Sequence, residues 1–86
     1  MKKLLIYTKH GCPFCAAVKN LFDSKGFEYE EINFFGLSEA ELDELMKKTN
    51  EWKTASMIFI DGKFYGGYED IKKLNESGEL DSLVRE

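Results

Sequence analysis

The chain contains two cysteines, Cys12 and Cys15, which stand three positions apart with a proline between them. Two thiols at this spacing can exchange disulfides, and the thiolate is the reactive form of a thiol. Pro13 suits the first position of a helix, where its missing N–H costs nothing. Gly11 permits a tight turn just before it. The pattern therefore predicts a redox pair at a helix N-terminus, with Cys12 at the N-cap and Cys15 one turn inside.

This placement favours a negative charge on the sulfur of Cys12. Amides in the first turn of a helix lack intrahelical acceptors, and the helix dipole is positive at that end. Lys9 adds a positive charge from the preceding loop. Surroundings of this kind lower the pKa of cysteine thiols to roughly 3.5–7.5. We therefore predict that Cys12 is the attacking sulfur and that Cys15, which should be more buried, is the resolving one.

Other uses of two cysteines explain this run less well. Ordinary packing does not account for a Cys-Pro-aromatic-Cys sequence where a strand meets a helix. A structural zinc site needs four ligands, whereas Cys12, Cys15 and His10 are the three that lie close in the sequence. We expect no metal site within one chain, and we expect His10 to be exposed and passive. A metal ion or cluster shared between two chains stays open as an alternative.

Length, composition and charge restrict the class of protein. A chain of 86 residues, 43% of them hydrophobic, predicts a single domain, 1–86, with one core. A net charge of −4 argues against nucleic acid and anionic membranes as partners. The apolar run after Lys2 and Lys3 is too short for a signal peptide or a membrane span. Because two cysteines are too few for a disulfide-stapled secreted scaffold, we expect a cytoplasmic protein.

The hydrophobic pattern predicts alternating strands and helices. Residues 4–7 and 57–60 are continuous apolar runs typical of buried strands, and residues 27–33 alternate imperfectly as a further strand. Ser38 and Glu41 predict a capping box at the second helix, and Asp61-Gly62 predicts a hairpin into a fourth strand. The predicted order is βαβαββα plus a short C-terminal helix. It corresponds to an α/β fold with a four-stranded mixed sheet flanked by helices, in which the first two strands are parallel.

Several runs of the sequence match one known family. They are Tyr7-Thr8-Lys9, Cys12-Pro13-Phe14-Cys15, Thr54, Ile58-Phe59-Ile60-Asp61-Gly62-Lys63 and Gly66-Gly67-Tyr68-Glu69-Asp70. In these runs, and along essentially its whole length, the chain resembles the glutaredoxins, the small glutathione-dependent branch of the thioredoxin-like fold. The paired motifs at this separation are specific, whereas a lone Cys-x-x-Cys would not be. Thioredoxins proper usually carry Trp-Cys-Gly-Pro-Cys, which this chain lacks.

The resemblance implies a groove for glutathione, whose sulfur would meet that of Cys12. The glycyl carboxylate of glutathione would lie near the cations Lys9 and Lys53. The backbone of Ala55, which follows Thr54, would pair with the cysteinyl backbone as a strand edge pairs with an extended peptide.

The resemblance places the other end of glutathione at the helix that begins at Tyr68. Amides of Tyr68 and Glu69 would hold the γ-glutamyl carboxylate, because a helix N-terminus is an anion site. The carboxylate of Glu69 or Asp70 would accept the ammonium group, and Gly67 would let the ligand approach the backbone closely. Phe14 would be either a wall of the groove or part of the core under the first helix.

One residue departs from the family pattern. Glutaredoxins have Thr-Val-Pro before the third strand, with the proline in cis, whereas this chain has Thr54-Ala55-Ser56. A cis peptide bond before a residue other than proline costs roughly 2.5–4 kcal/mol, against about 0.5–1 kcal/mol before proline. We therefore predict a trans Ala55–Ser56 bond. A smaller, polar Ser56 would also leave the two sulfurs more open to soft metals or arsenicals.

The resemblance implies a glutathione-dependent thiol–disulfide oxidoreductase that reduces protein–glutathione mixed disulfides and protein disulfides. Glutathione would be its reductant, with no permanently bound cofactor. Its partners would be glutathione and glutathionylated or disulfide-bearing proteins, among them ribonucleotide reductase, and it would act as a monomer. One alternative is a hydrogen donor fed by a thioredoxin-type reductase. Another is a dimeric iron–sulfur or metal carrier, against which Cys15 and Pro13 weigh, because carrier relatives more often have a Cys-Gly-Phe-Ser motif.

Overall fold

The computed structural model describes residues 1–52 and 56–86. They contain four strands, four α-helices and one short 3₁₀ turn. The strands are β1 (Leu4–Thr8), β2 (Glu30–Asn33), β3 (Met57–Ile60) and β4 (Lys63–Gly66). The helices are α1 (Pro13–Ser24), α2 (Glu39–Lys48), α3 (Tyr68–Ser77) and α4 (Glu79–Arg85). The predicted order βαβαββα with a short C-terminal helix is confirmed.

The four strands form one mixed sheet in the order β2-β1-β3-β4. The strands β1 and β2 are parallel, with α1 as their crossover, whereas β3 runs antiparallel to both β1 and β4. The register places Ile6 beside Glu31 and Thr8 beside Asn33. Because successive residues of a strand alternate between faces, Glu31 and Asn33 share the sheet face of Ile6 and Thr8.

Helices cover both faces of this sheet. The helices α1, α3 and α4 pack on one face, and α2 packs on the other, where Leu45 meets Met57 and Phe59. All four residues of β3 are buried because both of its faces are covered, which explains its continuous apolar run. The buried cluster on the first face consists of Leu4, Ile6, Val18, Phe22, Phe27, Ile58, Ile60, Ile71, Leu80 and Val84.

The turns and caps follow the predicted local chemistry. Asp61 and Gly62 have φ of 52° and 84°, the positive values that a two-residue type I′ hairpin requires. Ser38 and Glu41 form both hydrogen bonds of the capping box. None of the helices in the described ranges is long and apolar enough to cross a membrane.

Two segments differ from the sequence prediction. The strand predicted over residues 27–33 begins at Glu30, because the buried Phe27 still donates its N–H to the carbonyl of Phe22 at 3.0 Å. Residues Phe34–Gly36, which the sequence pattern assigns to neither a strand nor a helix, form a 3₁₀ turn, and the side chain of Asn33 accepts the N–H of Phe35 at its start.

Candidate active site

Cys12 is the N-cap residue of α1 and is partly exposed. The chain leaves β1 at Thr8 and turns through Gly11, whose φ is +73°. Pro13 occupies the start of the helix, as predicted. The sulfur of Cys12 accepts the backbone N–H of Cys15 at 3.2 Å. The sulfur thus takes the place of the usual N-cap oxygen and binds one of the amides that the helix leaves without an acceptor.

Cys15 lies one turn further along α1 and is 3% exposed. Burial raises the pKa of its thiol to about 11, and a hydrogen bond with Cys12 acts in the same direction. A backbone hydrogen bond from Lys9 and the positive charge of Lys19 lower this pKa and partly offset the increase. Both cysteines are free thiols. The pair therefore combines a partly exposed sulfur bound to an amide with a buried thiol that is neutral at physiological pH.

One side of the cysteine pair is formed by the start of α3, and we call Phe14, Gly66, Gly67, Tyr68 and Asp70 the α3 side. The rings of Phe14 and Tyr68 stack with their centroids 6.0 Å apart. Phe14 is 52% exposed, so it is not part of the core under α1. The Oδ2 atom of Asp70 accepts the N–H of Gly67 at 3.1 Å and so caps the helix. This side is therefore an aromatic surface beside a helix N-terminus.

The two glycines before α3 permit close packing there. Gly66 has φ of +103°, and a Cβ atom at this position would overlap the carboxylate of Asp70. A Cβ atom on Gly67 would lie 3.1 Å from the backbone oxygen of Ser56 and 3.4 Å from the ring of Trp52. The start of α3 is thus packed tightly against the segment that precedes β3.

The opposite side of the cysteine pair faces β2, and we call Thr8, Lys19, Glu31 and Asn33 the β2 side. With both cysteines and the loop residues Lys9 and His10, they line a cavity of about 450 Å³. The hydroxyl of Thr8 donates to Oε2 of Glu31 at 2.8 Å, and Nζ of Lys19 lies 3.2 Å from the same oxygen. The Thr8 hydroxyl and, to a smaller extent, Lys19 hold the pKa of Glu31 below its ordinary value.

The structure brings many of the predicted site residues together. Lys9 lines the same cavity as the two cysteines, and His10 in this loop is exposed. Tyr68, Glu69 and Asp70 form the first turn of α3, beside Phe14. The predicted residues Lys53, Thr54 and Ala55, and with them the Ala55–Ser56 peptide bond, lie outside the described residues.

Sequence reasoning missed the three linked residues Thr8, Lys19 and Glu31. Two signals were present in the sequence. Lys19 follows Cys15 by four positions, which places the two on the same helix face. Thr8 continues the alternation of Leu4 and Ile6 that points towards α1. The missing information was the register between β1 and β2, which places Glu31 next to them.

Comparisons with known proteins agree with this geometry. The family model for glutaredoxins matches residues 4–65. The chain is 38% identical over 81 residues to glutaredoxin 1 of Rickettsia prowazekii, an alignment that covers 94% of this chain and 85% of that protein. It is 36% identical over 85 residues to glutaredoxin 3 of Escherichia coli, covering 99% of this chain and 100% of that protein.

Solved structures give the same result. A buckwheat glutaredoxin in complex with glutathione superimposes with a TM-score of 0.87 at 29% identity, covering 98% of this chain and 77% of that one. A glutaredoxin from Brucella melitensis superimposes with a TM-score of 0.80 at 36% identity, covering 98% of this chain and 89% of that one.

The mixed sheet, the thiol pair at the helix N-terminus and these relatives define a class, the thiol–disulfide oxidoreductases of the thioredoxin-like superfamily. Within that class, the chain belongs to the glutaredoxin family, since the family model covers well over half of its length. The family and the fold expected from the sequence are both confirmed.

Proposed function

We propose that this chain is a glutathione-dependent enzyme that reduces protein–glutathione mixed disulfides and protein disulfides. The thiolate of Cys12 attacks the glutathione sulfur of a mixed disulfide, which frees the protein thiol and leaves glutathione on Cys12. A second glutathione thiolate then attacks this bond, regenerates Cys12 and leaves as oxidised glutathione. With a protein disulfide as substrate, Cys15 resolves the intermediate, and glutathione reduces the resulting Cys12–Cys15 bond.

The observation that carries this proposal is the contrast between the two sulfurs. Cys12 is partly exposed, and its sulfur already accepts the backbone N–H of Cys15 at 3.2 Å, so a substrate disulfide can reach a sulfur that lies at the helix N-terminus. Cys15 is buried, and its raised pKa keeps it protonated at physiological pH. A partly exposed nucleophile beside a buried resolving thiol is the arrangement that the two-step exchange needs.

The α3 side supports a site for the γ-glutamyl end of glutathione. The first amides of α3 have no acceptor within the helix, which suits a carboxylate, and we assign this role to Tyr68 and Glu69. One oxygen of Asp70 caps Gly67, which leaves its second oxygen, or the exposed carboxylate of Glu69, for the ammonium group. The stacked ring of Phe14 would form the wall between this end and the sulfur.

The remaining part of the proposed site holds the cysteinyl and glycyl groups of glutathione. Lys9 lies beside Cys12 in the loop before α1 and supplies a cation for the glycyl carboxylate. We assign the second cation to Lys53 and the backbone pairing to Ala55, next to Thr54. The buckwheat structural neighbour, which was solved with glutathione, supports glutathione as the ligand class.

A coupled assay tests the proposal. A glutathionylated peptide is reduced in the presence of glutathione, NADPH and glutathione reductase, and NADPH oxidation is followed. We expect Cys12→Ser to reduce the rate to the uncatalysed background. Cys15→Ser should keep the removal of glutathione but lose the reduction of a protein disulfide, because only the second substrate needs a resolving thiol. Activity retained in Cys12→Ser would overturn the assignment.

The same preparation separates the alternatives. If the oxidised protein is reduced by a thioredoxin reductase and not by glutathione, the chain is a hydrogen donor of another system. A visible absorption band after anaerobic purification would instead indicate a cluster carrier. Either result would contradict the proposed glutathione-dependent activity, but the chain would still belong to the glutaredoxin family.

A further inference from the structure

The β2 side places a positive charge in the same cavity as the resolving cysteine. Cys15 and Lys19 are one helical turn apart on α1, and both line the cavity of about 450 Å³. The same cavity is lined by Glu31, which extends from β2 towards α1 because it lies beside Ile6 in the register of the sheet. The structure thus joins a thiol, an ammonium group and a carboxylate in one space.

The ammonium group of Lys19 is held there by two contacts. Its Nζ atom lies 3.3 Å from Oε1 and 3.2 Å from Oε2 of Glu31, so it bridges both carboxylate oxygens. The carboxylate is itself anchored by the hydroxyl of Thr8 at 2.8 Å, and Thr8 is 2% exposed. An isolated surface ion pair contributes little and moves freely. Anchoring by a buried hydroxyl restricts the carboxylate and, through it, the lysine.

The positive charge of Lys19 can assist the resolving step, in which Cys15 attacks the mixed disulfide on Cys12. A buried thiol is a poor nucleophile until it loses its proton, and burial disfavours the thiolate that forms. A cation near that thiolate offsets part of the cost. Lys19 carries such a charge, and it acts on Cys15 in the direction that favours the thiolate.

We propose that Lys19, held by Glu31 and Thr8 on the β2 side, is a positioning residue that accelerates the resolving attack by Cys15. The inference rests on the proposed function, in which Cys15 resolves the mixed disulfide on Cys12. In that step the Cys15 thiol releases its proton to solvent, and its thiolate attacks the Cys12 sulfur. A Cys12–Cys15 bond forms, the bond to the substrate sulfur breaks, and the departing thiolate takes up a proton. The two cysteines lose two electrons, and the substrate disulfide gains them.

A stopped-flow experiment with dipyridyl disulfide observes the two attacks separately. With the reduced protein in excess, Cys12 releases one thiopyridone, and Cys15 releases the second when it displaces the pyridyl thiolate from Cys12. The probe is uncharged at neutral pH, so the lysines around the cavity do not attract it. The titratable groups that line this cavity are Lys9, His10, Cys12, Cys15, Lys19 and Glu31.

We expect Lys19→Met to slow the second release by about threefold, the effect of one partly exposed charge, and to leave the first release unchanged. The pH dependence of the second release should move to higher pH. Lys19→Arg should restore most of the rate because it keeps the charge. Thr8→Val, which keeps all charges but removes the anchoring hydroxyl, should slow the same step by a smaller factor.

A matched control is Lys25→Met, which removes another lysine of this helix region that pairs with Asp81 at 3.1 Å. We expect it to leave both releases unchanged. An unchanged second release in Lys19→Met, or an equal decrease in Lys25→Met, would overturn the inference. If Cys15 is not the resolving cysteine, the proposed function itself fails, and the experiment shows this separately. The second release of thiopyridone would then persist in Cys15→Ser.

Discussion

The two sides of the cysteine pair are built from different kinds of groups. The α3 side consists of helix-terminal amides, two glycines and a stacked pair of rings, and its carboxylate, Asp70, caps the helix. The β2 side consists of polar and charged side chains, in which Glu31 accepts the buried hydroxyl of Thr8 and pairs with Lys19. Amides at a helix terminus recognise an anionic ligand, whereas a fixed charge changes the protonation of a neighbouring group.

This difference indicates that the two sides of the first turns of α1 serve different steps, ligand binding and the resolving attack. Phe14 belongs to the α3 side, where its ring stacks on Tyr68 and where we propose that glutathione binds. Cys15 and Lys19 line the cavity on the β2 side, where we propose that the resolving attack is assisted. Mutations on the α3 side should therefore change ligand binding or helix capping. Mutations on the β2 side should change the reactivity of the Cys15 sulfur.

The largest expected effect on the α3 side comes from Gly66→Ala. The position has φ of +103°, and the new Cβ atom would overlap the carboxylate of Asp70. Backbone strain of this kind costs about 1–3 kcal/mol, and displacing the carboxylate adds to it. Urea unfolding should show this loss. Gly62→Ala is the control, because its φ is +84° but nothing lies within 4 Å of its Cβ position. Equal losses in the two variants would contradict close packing at α3.

The next effect tests the cap itself. Asp70→Ala removes the carboxylate that accepts the N–H of Gly67, and we expect the free energy of unfolding to fall by about 1–2 kcal/mol. Glu69→Ala is the matched control, since Glu69 carries the same charge in the same turn and is exposed. If Glu69→Ala destabilises the protein as much, the helix dipole and not the cap is responsible.

A smaller effect is expected from Phe14→Ala. Loss of the stack on Tyr68 should lower the free energy of unfolding by about 0.5–1.5 kcal/mol. It should also raise KM for a glutathionylated peptide, because the proposed groove loses a wall. Phe35→Ala provides the comparison, since Phe35 is 82% exposed and lies outside the α3 side. A KM unchanged by Phe14→Ala would separate Phe14 from ligand binding.

At neutral pH the smallest effect concerns Cys15, whose contribution to stability changes only at alkaline pH. The pKa of this thiol is raised from 9.0 to about 11 in the folded protein, chiefly by burial. Between these values the unfolded chain has lost the proton that the folded chain keeps. Folding stability from this group is therefore complete below pH 9.0 and declines as the pH rises towards about 11. Under reducing conditions, unfolding of Cys15→Ser should lack this decline. Identical pH profiles for the variant and the native chain would contradict burial of the thiol.

Much of the fold could be predicted from local chemistry. The apolar runs of β1 and β3, the Asp61-Gly62 hairpin and the Ser38–Glu41 capping box are each specified by neighbouring residues. The start of α1 at Pro13 is specified in the same way, which placed Cys12 at an N-cap. Local signals of this kind do not depend on contacts with distant segments of the chain.

The remaining features depend on contacts between distant segments. The helical spacing of Phe14 with Val18 and Phe22 suggests a core residue, yet its ring stacks on Tyr68 because tertiary packing brings α3 beside α1. The link from Thr8 through Glu31 to Lys19 depends on the register of two parallel strands joined by a helix. Periodicity shows which face of a strand is buried but not which residue of the next strand lies beside it.

The most direct test of Cys12 as the attacking sulfur is the mass of the adduct that Cys15→Ser forms with oxidised glutathione. We expect one glutathione per chain, located on Cys12 by peptide mapping, while the native chain under the same conditions forms an internal disulfide and carries no adduct. The result that would contradict this assignment is a Cys12→Ser variant that takes up glutathione on Cys15 as fast as Cys15→Ser takes it up on Cys12.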